Sequence, residues 1–366
     1  MDTVLKPNRP SSPPSLRTRA AKRKFKHLST LQTDKQLAKL VLKHAALHFG
    51  DQVFHTASQV CKAWNCAVSE IRHLVPSKAF GELKPGRRHQ RFDRPHAVAF
   101  LPNGNLVIGD CDNFRLQVWN LNQGTFVDEI NLEGGTACPT GVSYHSGHIF
   151  VVEHGSHQLI KLRHDLFTLV GRAGQWGGGE GDLRHPWGVC CAAGKVFVVD
   201  GGNGRVSVYG ARGLDFCYSF GNLGRGKEEL LDPKGCAIHQ GEIYVADTGN
   251  NRIQIFSLEG IWSRSLGSEG SKPGQFLAPT GVSVANNRLY VTETVGARLQ
   301  VLDLAGLPLQ IVQIKVPLSG ICTSPELACI TALEPEQCAL DANTSRKLPN
   351  AIHVLSVTSS SIQWMD

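Results

Sequence analysis

The sequence lacks an apolar run near the ~18 residues that a membrane span needs, and its polar start does not resemble a secretory signal. It has no Cys-x-x-Cys pair, and its 11 cysteines are odd in number and follow no regular spacing. These absences argue against a disulfide framework or a zinc module. We therefore expect small buried thiols, a reducing compartment and no membrane partner, in the cytoplasm or the nucleus.

Acidic residues are scarce in the first quarter of the chain. Residues 1–89 contain 17 Lys/Arg and 5 Asp/Glu, a net charge of +12, whereas the remaining residues contain 21 and 26, a net charge of −5. Residues 1–28 are rich in Pro, Ser and basic side chains, which predicts a disordered basic tail. The cluster Arg17–Lys26 is typical of a nuclear import signal or a polyanion-binding segment, although a solvated tail without either role explains it equally well.

Glycine is abundant, with 38 residues, and it recurs within a repeated template of Pro-x-Gly/Ala-Val followed by alternating apolar residues. The template prolines are 44, 47, 47 and 46 residues apart, a period that indicates a repeat fold. They are Pro95, Pro139, Pro186, Pro233 and Pro279.

An acidic residue and, five positions later, Arg or Gln complete each template copy. Because the pair recurs once per copy, we interpret it as a structural ion pair where the partner is Arg, or as a staple of the tight strand connection, and not as catalytic carboxylates. The pairs are Asp110–Arg115, Glu153–Gln158, Asp200–Arg205, Asp247–Arg252 and Glu293–Arg298.

A degenerate sixth copy begins at Leu318, so six units of four strands could close into a ring that buries a shared core. The stretch 233–256, Pro-Lys-Gly-Cys through Asp-Thr-Gly-Asn-Asn-Arg-Ile-Gln-Ile-Phe, resembles the NHL repeat. The resemblance implies an all-β fold, a six-bladed β-propeller over residues 81–366. Ring closure by Ser359–Trp364 or by Val75–Phe80 remains open.

Residues 29–80 have apolar residues at helical spacing. The segment Ala57–Asn65 resembles the Val-Cys-Lys-x-Trp part of an F-box, although Leu31-Gln32 replaces the usual Leu-Pro. The resemblance implies that a Skp-type adaptor of a cullin ubiquitin ligase binds this segment. A helical cap or a coiled-coil remnant is the alternative. The predicted adaptor-binding residues are Leu37, Val41, Val60 and Trp64.

The residue after each template proline is predicted to recur around one mouth of the propeller channel. These residues differ in size and charge, which favours a partner-binding face over a structural position. They are His96, Thr140, Trp187, Lys234 and Thr280. Trp187 could equally pack across a blade junction.

Some NHL propellers are metal lyases with channel histidines, and others bind RNA. Only one of the five mouth positions is a histidine, and the propeller is acidic overall, so we expect no metal, no cofactor and no catalytic residue, and we disfavour RNA. The function predicted is a non-enzymatic protein-recognition module, which the F-box resemblance extends to a substrate adaptor of a ubiquitin ligase. An NHL scaffold or RNA-binding regulator is the alternative, and a metal lyase is less favoured.

Overall fold

The computed structural model describes residues 73–80, 92–132, 138–314, 316–324, 327–332 and 351–358. Nearly all of them belong to strands or to the short connections between strands, and helix in these ranges is limited to three single 3₁₀ turns. None of the described helices is long and apolar enough to cross a membrane. The predicted basic tail and the four predicted adaptor-binding residues lie outside the described ranges.

The strands follow the template, with one strand starting at each template proline. The first strand of the chain is β1 (His73–Phe80). The first blade contains β2 (Pro95–Phe100), β3 (Asn105–Asp110), β4 (Arg115–Asn120) and β5 (Thr125–Asn131). The second contains β6 (Pro139–His145), β7 (His148–Glu153), β8 (Gln158–Arg163) and β9 (Leu169–Ala173). The third contains β10 (Pro186–Ala192), β11 (Lys195–Asp200), β12 (Arg205–Gly210) and β13 (Phe216–Phe220).

Two short strands, β14 (Asn222–Leu223) and β15 (Glu229–Leu230), precede the fourth blade. That blade contains β16 (Pro233–His239), β17 (Glu242–Asp247), β18 (Arg252–Ser257) and β19 (Trp262–Leu266). The fifth contains β20 (Pro279–Ala285), β21 (Arg288–Glu293), β22 (Arg298–Asp303) and β23 (Pro308–Gln313). The last strands are β24 (Leu318–Thr323), β25 (Leu327–Ala332) and β26 (Ala351–Thr358).

Five blades are antiparallel sheets of four consecutive strands, and a further four-stranded sheet has the order β1-β26-β25-β24. The prediction of an all-β propeller is therefore confirmed. Of the six predicted units, five form blades of consecutive strands, and the degenerate sixth belongs to a composite sheet that takes strands from both ends of the described chain.

The composite sheet corrects the predicted domain boundary. β1 pairs antiparallel with β26 along its length, with His73 opposite Thr358, so the chain is a propeller strand from His73 and not from residue 81. The apolar spacing predicts helix up to Leu74, whereas Val75–Phe80 is one of the two closing strands that the sequence allows. Pairing with β26 overrides this spacing. The segment Val75–Phe80 thus supplies the outer strand, and the compact unit spans His73–Thr358.

The hydrophobic core lies between blades and not within any single blade. Phe197 and Val206 of the third blade share one cluster with Ile243 of the fourth. The closing seam is built in the same way, since Ile352 of β26 packs in a cluster with Leu106 of the first blade. Each sheet therefore depends on its neighbours for burial, as expected for a repeat fold.

Glycine at the third template position permits close contact between neighbouring innermost strands. A methyl group on Gly141 would overlap the carbonyl oxygen of Trp187 in the next blade, and one on Gly188 would overlap that of Lys234. Gly235, Gly281 and Gly320 stand in the same relation to Thr280, Ser319 and His96. The contact of Gly320 with His96 closes the ring.

The first blade has Ala97 at this position, and the missing glycine is supplied from the neighbouring strand. Gly109 of β3 pairs with Ala97, and a methyl group on Gly109 would overlap the carbonyl oxygen of Pro139 in the second blade. The close approach is therefore kept at this junction by a different residue.

We expect Gly235→Ala to lower the free energy of unfolding by about 2 kcal/mol or more, because the backbone of the next blade must move to admit the methyl group. Gly210→Ala is the matched control, since the nearest atom to a methyl group there is the Asp215 carbonyl oxygen at 3.9 Å. Urea denaturation followed by tryptophan fluorescence measures both variants. Equal stability of the two variants would show that the ring does not require glycine.

Candidate functional site

The acid–Arg pairs lie at the strand connections where the five-residue spacing places them. Asp247 ends β17 and faces Arg252 at the start of β18 in the strand ladder. The acids of the four Arg-containing pairs, Asp110, Asp200, Asp247 and Glu293, are fully buried. Burial raises the pKa values of the three aspartates. The Arg Nε to carboxylate distances are 2.8 Å for Arg115–Asp110, 2.9 Å for Arg205–Asp200, 2.7 Å for Arg252–Asp247 and 2.7 Å for Arg298–Glu293.

Each pair in the third to fifth blades also holds the linker that precedes its blade. Arg252 donates from Nη2 to the carbonyl oxygens of Gly226 and Glu229, and Asp247 accepts from the backbone N–H of Leu231. Arg205 and Arg298 bond linker carbonyl groups in the same way. Each of these pairs thus connects its two strands to the linker that precedes the blade. The hydrogen-bonding groups of the pair are used in these contacts.

The second blade departs from this arrangement because its linker is short. Each blade with a linker-binding Arg follows a long linker, and these linkers are residues 174–185, 221–232 and 267–278. The linker between β5 and β6 is shorter and consists of residues 132–138. Gln158 stands in the Arg position. Glu153 Oε2 accepts hydrogen bonds from Ser156 Oγ at 2.5 Å and from Arg172 Nη1 at 3.4 Å. Its other oxygen, Oε1, has no partner among the described residues. Burial raises the pKa of Glu153.

The five predicted mouth residues divide into two groups. His96, Thr140 and Thr280 are only 4%, 3% and 2% exposed, because the close approach of the innermost strands encloses them. Trp187 and Lys234 are half-buried. The expectation that all five form one wide binding face is therefore wrong for the three buried residues. All but Lys234 line a narrow channel cavity of about 60 Å³.

His96 links the first blade to the closing sheet. Its Nδ1 lies 2.9 Å from Ser319 Oγ, and this hydroxyl lies 3.4 Å from the His96 carbonyl oxygen. If the hydroxyl donates to the carbonyl, Nδ1–H donates to Oγ and Nε2 is left as an acceptor. Burial and the positive charges of Arg94 and Lys234 lower the pKa of His96 to about 3, so the ring is neutral at pH 7.

Trp187 lies among polar side chains from three blades. Lys234 Nζ lies 4.7 Å from the Trp187 ring centroid, and the rings of His96 and His154 contact Trp187 edge-on at centroid distances of 4.9 and 5.4 Å. The sequence placed Trp187, Lys234 and His96 at this mouth but did not place His154 beside them. Burial, more than its positive neighbours, lowers the pKa of His154 to about 4.

The position of His154 could have been found from the repeat. The residue after the template acid reaches the first strand of the next blade: His154 Nδ1 lies 3.3 Å from the Pro186 carbonyl oxygen. Thr248 donates to the Pro279 carbonyl oxygen at 2.6 Å, and Thr294 donates to that of Leu318 at 2.8 Å. In the second, fourth and fifth blades this position is therefore an inter-blade latch, whereas the third blade has Gly201 there.

In the first blade the latch is covalent. Cys111, which follows Asp110, forms a disulfide with Cys138, which precedes the first strand of the second blade. The expectation that the cysteines are thiols is wrong for this pair, because the latch geometry brings together two residues 27 apart in sequence. Five other cysteines in the described ranges are free thiols: Cys190, Cys191, Cys217, Cys236 and Cys322.

The channel residues do not fit a metal centre of several histidines. Among the residues that the structure describes, His96 is the one histidine that lines the cavity. Within the described residues, three potential ligand atoms come together only at Cys111, Asp112 and Cys138, which are not cavity residues and whose two sulfur atoms are bonded to each other.

Comparison with known proteins agrees with this geometry. The family described as NHL repeat matches residues 92–119 and 230–256. This chain is an all-β propeller with NHL repeats. No curated protein matches the sequence. The second matched range includes the Asp247–Arg252 pair, so the linker-holding ion pair belongs to the NHL repeat of this chain.

Solved structures similar to this NHL propeller share its fold at low identity. Regucalcin, a calcium-binding protein from Agrobacterium tumefaciens, has 12% identity and a TM-score of 0.57 over 77% of this chain and 95% of that one. Streptogramin B lyase has 13% identity and a TM-score of 0.54 over 78% and 98%. Luciferin-regenerating enzyme has 14% identity and a TM-score of 0.53 over 73% and 92%. At these identities the similarity establishes the fold alone.

The contrast between Glu153 and Asp247 predicts opposite effects of neutral substitutions. Asp247→Asn should lower the free energy of unfolding by about 2–4 kcal/mol, because its amide would face a hydrogen-bond donor at either oxygen position. Glu153→Gln should be neutral or stabilising at pH 7. It removes a buried charge that has Arg172 Nη1 at 3.4 Å but lacks the close Arg Nε contact of the other acids. Urea denaturation measures both.

The Glu153 effect should depend on pH with a defined sign. Because burial raises the pKa above its usual 4.5, the folded state holds the proton more tightly than the unfolded state. The free energy of unfolding of the native protein therefore falls as pH rises from 4.5 through the raised pKa. The Glu153→Gln variant has no carboxyl group to titrate at this position. The free energy of unfolding of the variant minus that of the native protein should therefore rise with pH. A constant difference would contradict the assignment.

Proposed function

We propose that this NHL propeller is a non-enzymatic protein-recognition module whose contact surface is centred on Trp187 and Lys234. The observation that supports this is their position: of the five variable residues at the channel mouth, these two are not buried. They come from adjacent blades, and the ammonium group lies over the indole ring. Partly exposed tryptophan beside a cation is a favoured anchor for a protein partner.

The channel interior supports recognition at its rim more than chemistry inside it. The cavity of about 60 Å³ is smaller than the ~300–1,000 Å³ of a typical small-molecule site. The hydroxyl groups of Thr140 and Thr280 are engaged by backbone carbonyl oxygens within the wall. The streptogramin B lyase and the luciferin-regenerating enzyme share the fold. A metal lyase would need several histidines in the channel wall, and among the described residues this wall has His96 alone.

An RNA-binding role is the second class of function. Phosphate recognition needs a concentration of positive charge, whereas the chain beyond residue 89 has a net charge of −5. Lys234 is also near Asp232, with 3.7 Å between the charged atoms. This local neutralisation favours a protein partner over a nucleic acid.

The recognition proposal predicts that Trp187→Ala combined with Lys234→Ala weakens partner capture at least about tenfold, as expected for loss of a hot spot. Affinity purification of the full-length chain with quantitative mass spectrometry measures this. Trp176→Ala is the matched control, because Trp176 is 64% exposed and lies in a linker. His96 is unsuitable for this test, since it is buried and bonded to the closing sheet.

Two results would contradict the proposal. An unchanged set of partners in the double variant would place the contact surface elsewhere. Loss of all partners after nuclease treatment would favour the RNA-binding alternative. Thermal unfolding followed by circular dichroism must first show that the double variant keeps the native midpoint.

We further propose that the segment before the propeller couples it to a Skp-type adaptor of a cullin ubiquitin ligase. The support is the F-box-like sequence Ala57–Asn65. The boundary at His73 limits this segment to residues 29–72. The partner captured by the propeller would then be the ligase substrate, and a nuclear or cytoplasmic location would suit both the ligase and the basic cluster at Arg17–Lys26.

This proposal predicts that Trp64→Ala abolishes co-purification of the Skp-type adaptor while the propeller remains folded. Leu37, Val41 and Val60 are predicted to support the same surface. Trp176→Ala again serves as the control, since it removes a tryptophan from the propeller only. Adaptor binding that survives Trp64→Ala, or that is absent from the native chain, would rule out the ligase role and leave the recognition proposal untouched.

A further inference from the structure

Two cysteines from adjacent blades meet beside the channel. Cys236 of β16 occupies the template position that is valine in four other copies, and Cys190 follows Val189 in β10. The Cys236 thiol donates to Cys190 Sγ, and the two sulfur atoms are 3.0 Å apart although the residues are 46 apart in sequence. Both are free thiols, so the pair needs only a small approach to form a disulfide, which has an S–S length of ~2.05 Å.

The two thiols differ in their access to small molecules. Cys236 is half-buried and lines the channel cavity, whereas Cys190 is 8% exposed and does not line it. Burial, together with the neighbouring Cys236, raises the pKa of Cys190 well above its usual value. A reagent entering the channel therefore meets Cys236 first, with Cys190 directly behind it.

The neighbouring Cys191 is directed to another blade. Successive side chains of a strand point to opposite faces, and Cys191 forms a hydrogen bond with Ser143 of β6, while burial raises its pKa to about 12. Cys190 thus faces the junction between the third and fourth blades, and Cys191 faces the junction between the second and third. Only Cys190 is placed to react with Cys236.

We propose that Cys236 is a site of oxidation by peroxides and that Cys190 resolves the oxidised form into a disulfide joining the third and fourth blades. The Cys236 thiolate attacks one peroxide oxygen, the O–O bond breaks, and water leaves after proton transfer, which gives a sulfenic acid. Cys190 sulfur then attacks Cys236 sulfur, the S–O bond breaks, and a second water leaves. Two thiols lose two electrons, and one hydrogen peroxide is reduced to two waters.

The fold can accommodate this product. The Cys111–Cys138 disulfide already joins the first and second blades, so a covalent link across a blade junction is compatible with the ring. The oxidised pair would remove the Cys236 thiol from the channel wall and fix the junction at which Trp187 and Lys234 meet. The proposal does not depend on the recognition function of those two residues.

The test uses the full-length chain, reduced, freed of reductant and treated with hydrogen peroxide. Remaining thiols are then alkylated, and peptides are mapped by mass spectrometry. We expect a peptide pair linked between Cys190 and Cys236 in the native protein and in Cys191→Ser, and none in Cys236→Ser. The Cys111–Cys138 pair serves as an internal control for disulfide formation, and Cys217→Ser is the matched surface control.

Cys190→Ser separates a resolving role from simple proximity. Without the resolving thiol, the Cys236 sulfenic acid should persist, and labelling of Cys236 by a dimedone-type probe should rise severalfold over the native protein. Far-UV circular dichroism checks that each variant is folded. The proposal is overturned if Cys111–Cys138 reforms without a Cys190–Cys236 link, if the link requires Cys191, or if Cys236 labelling is equal in the native protein and Cys190→Ser.

Discussion

The close approach of neighbouring innermost strands at the template glycines is the contact on which the propeller depends. A carbonyl oxygen of the next blade occupies the space that a side chain would need at Gly141, Gly188, Gly235, Gly281 and Gly320. This spacing brings the apolar faces of adjacent sheets together, so that the core can form between blades. It also narrows the channel and encloses most of the side chains at its mouth. The size of the cavity and the burial of His96 are therefore consequences of backbone packing.

Two further interactions keep the blades at this distance. The acid–Arg pairs hold the long linkers against the strands that follow them, and the latch residues reach the first strand of the next blade. The latches use three kinds of group, which are a disulfide at Cys111, an imidazole at His154 and hydroxyl groups at Thr248 and Thr294. The third blade has Gly201 at this position and therefore no side-chain latch.

Sequence reasoning predicted the repeat, the strand connections at the acid–Arg spacing and the recurrence of one residue at the channel mouth. It failed where the outcome depends on contacts between distant residues. Leu74 fits a helical spacing, but strand pairing with β26 decides its conformation. The burial of Thr140 and Thr280 follows from how closely two blades approach, which a single repeat copy does not contain. The Cys111–Cys138 disulfide arises from a junction between copies and has no motif within either.

The irregular features of the ring follow from linker length. Long linkers before the third, fourth and fifth blades expose carbonyl groups that an Arg side chain can bind, and each of these blades has the Arg. The linker at 132–138 is shorter, and in that blade Gln158 stands in the place of the Arg. The departure of the second blade therefore coincides with its short linker and with the absence of Arg from position 158. Functional variation is then expected at the mouth positions that the close approach of the strands leaves partly exposed, which are those of Trp187 and Lys234.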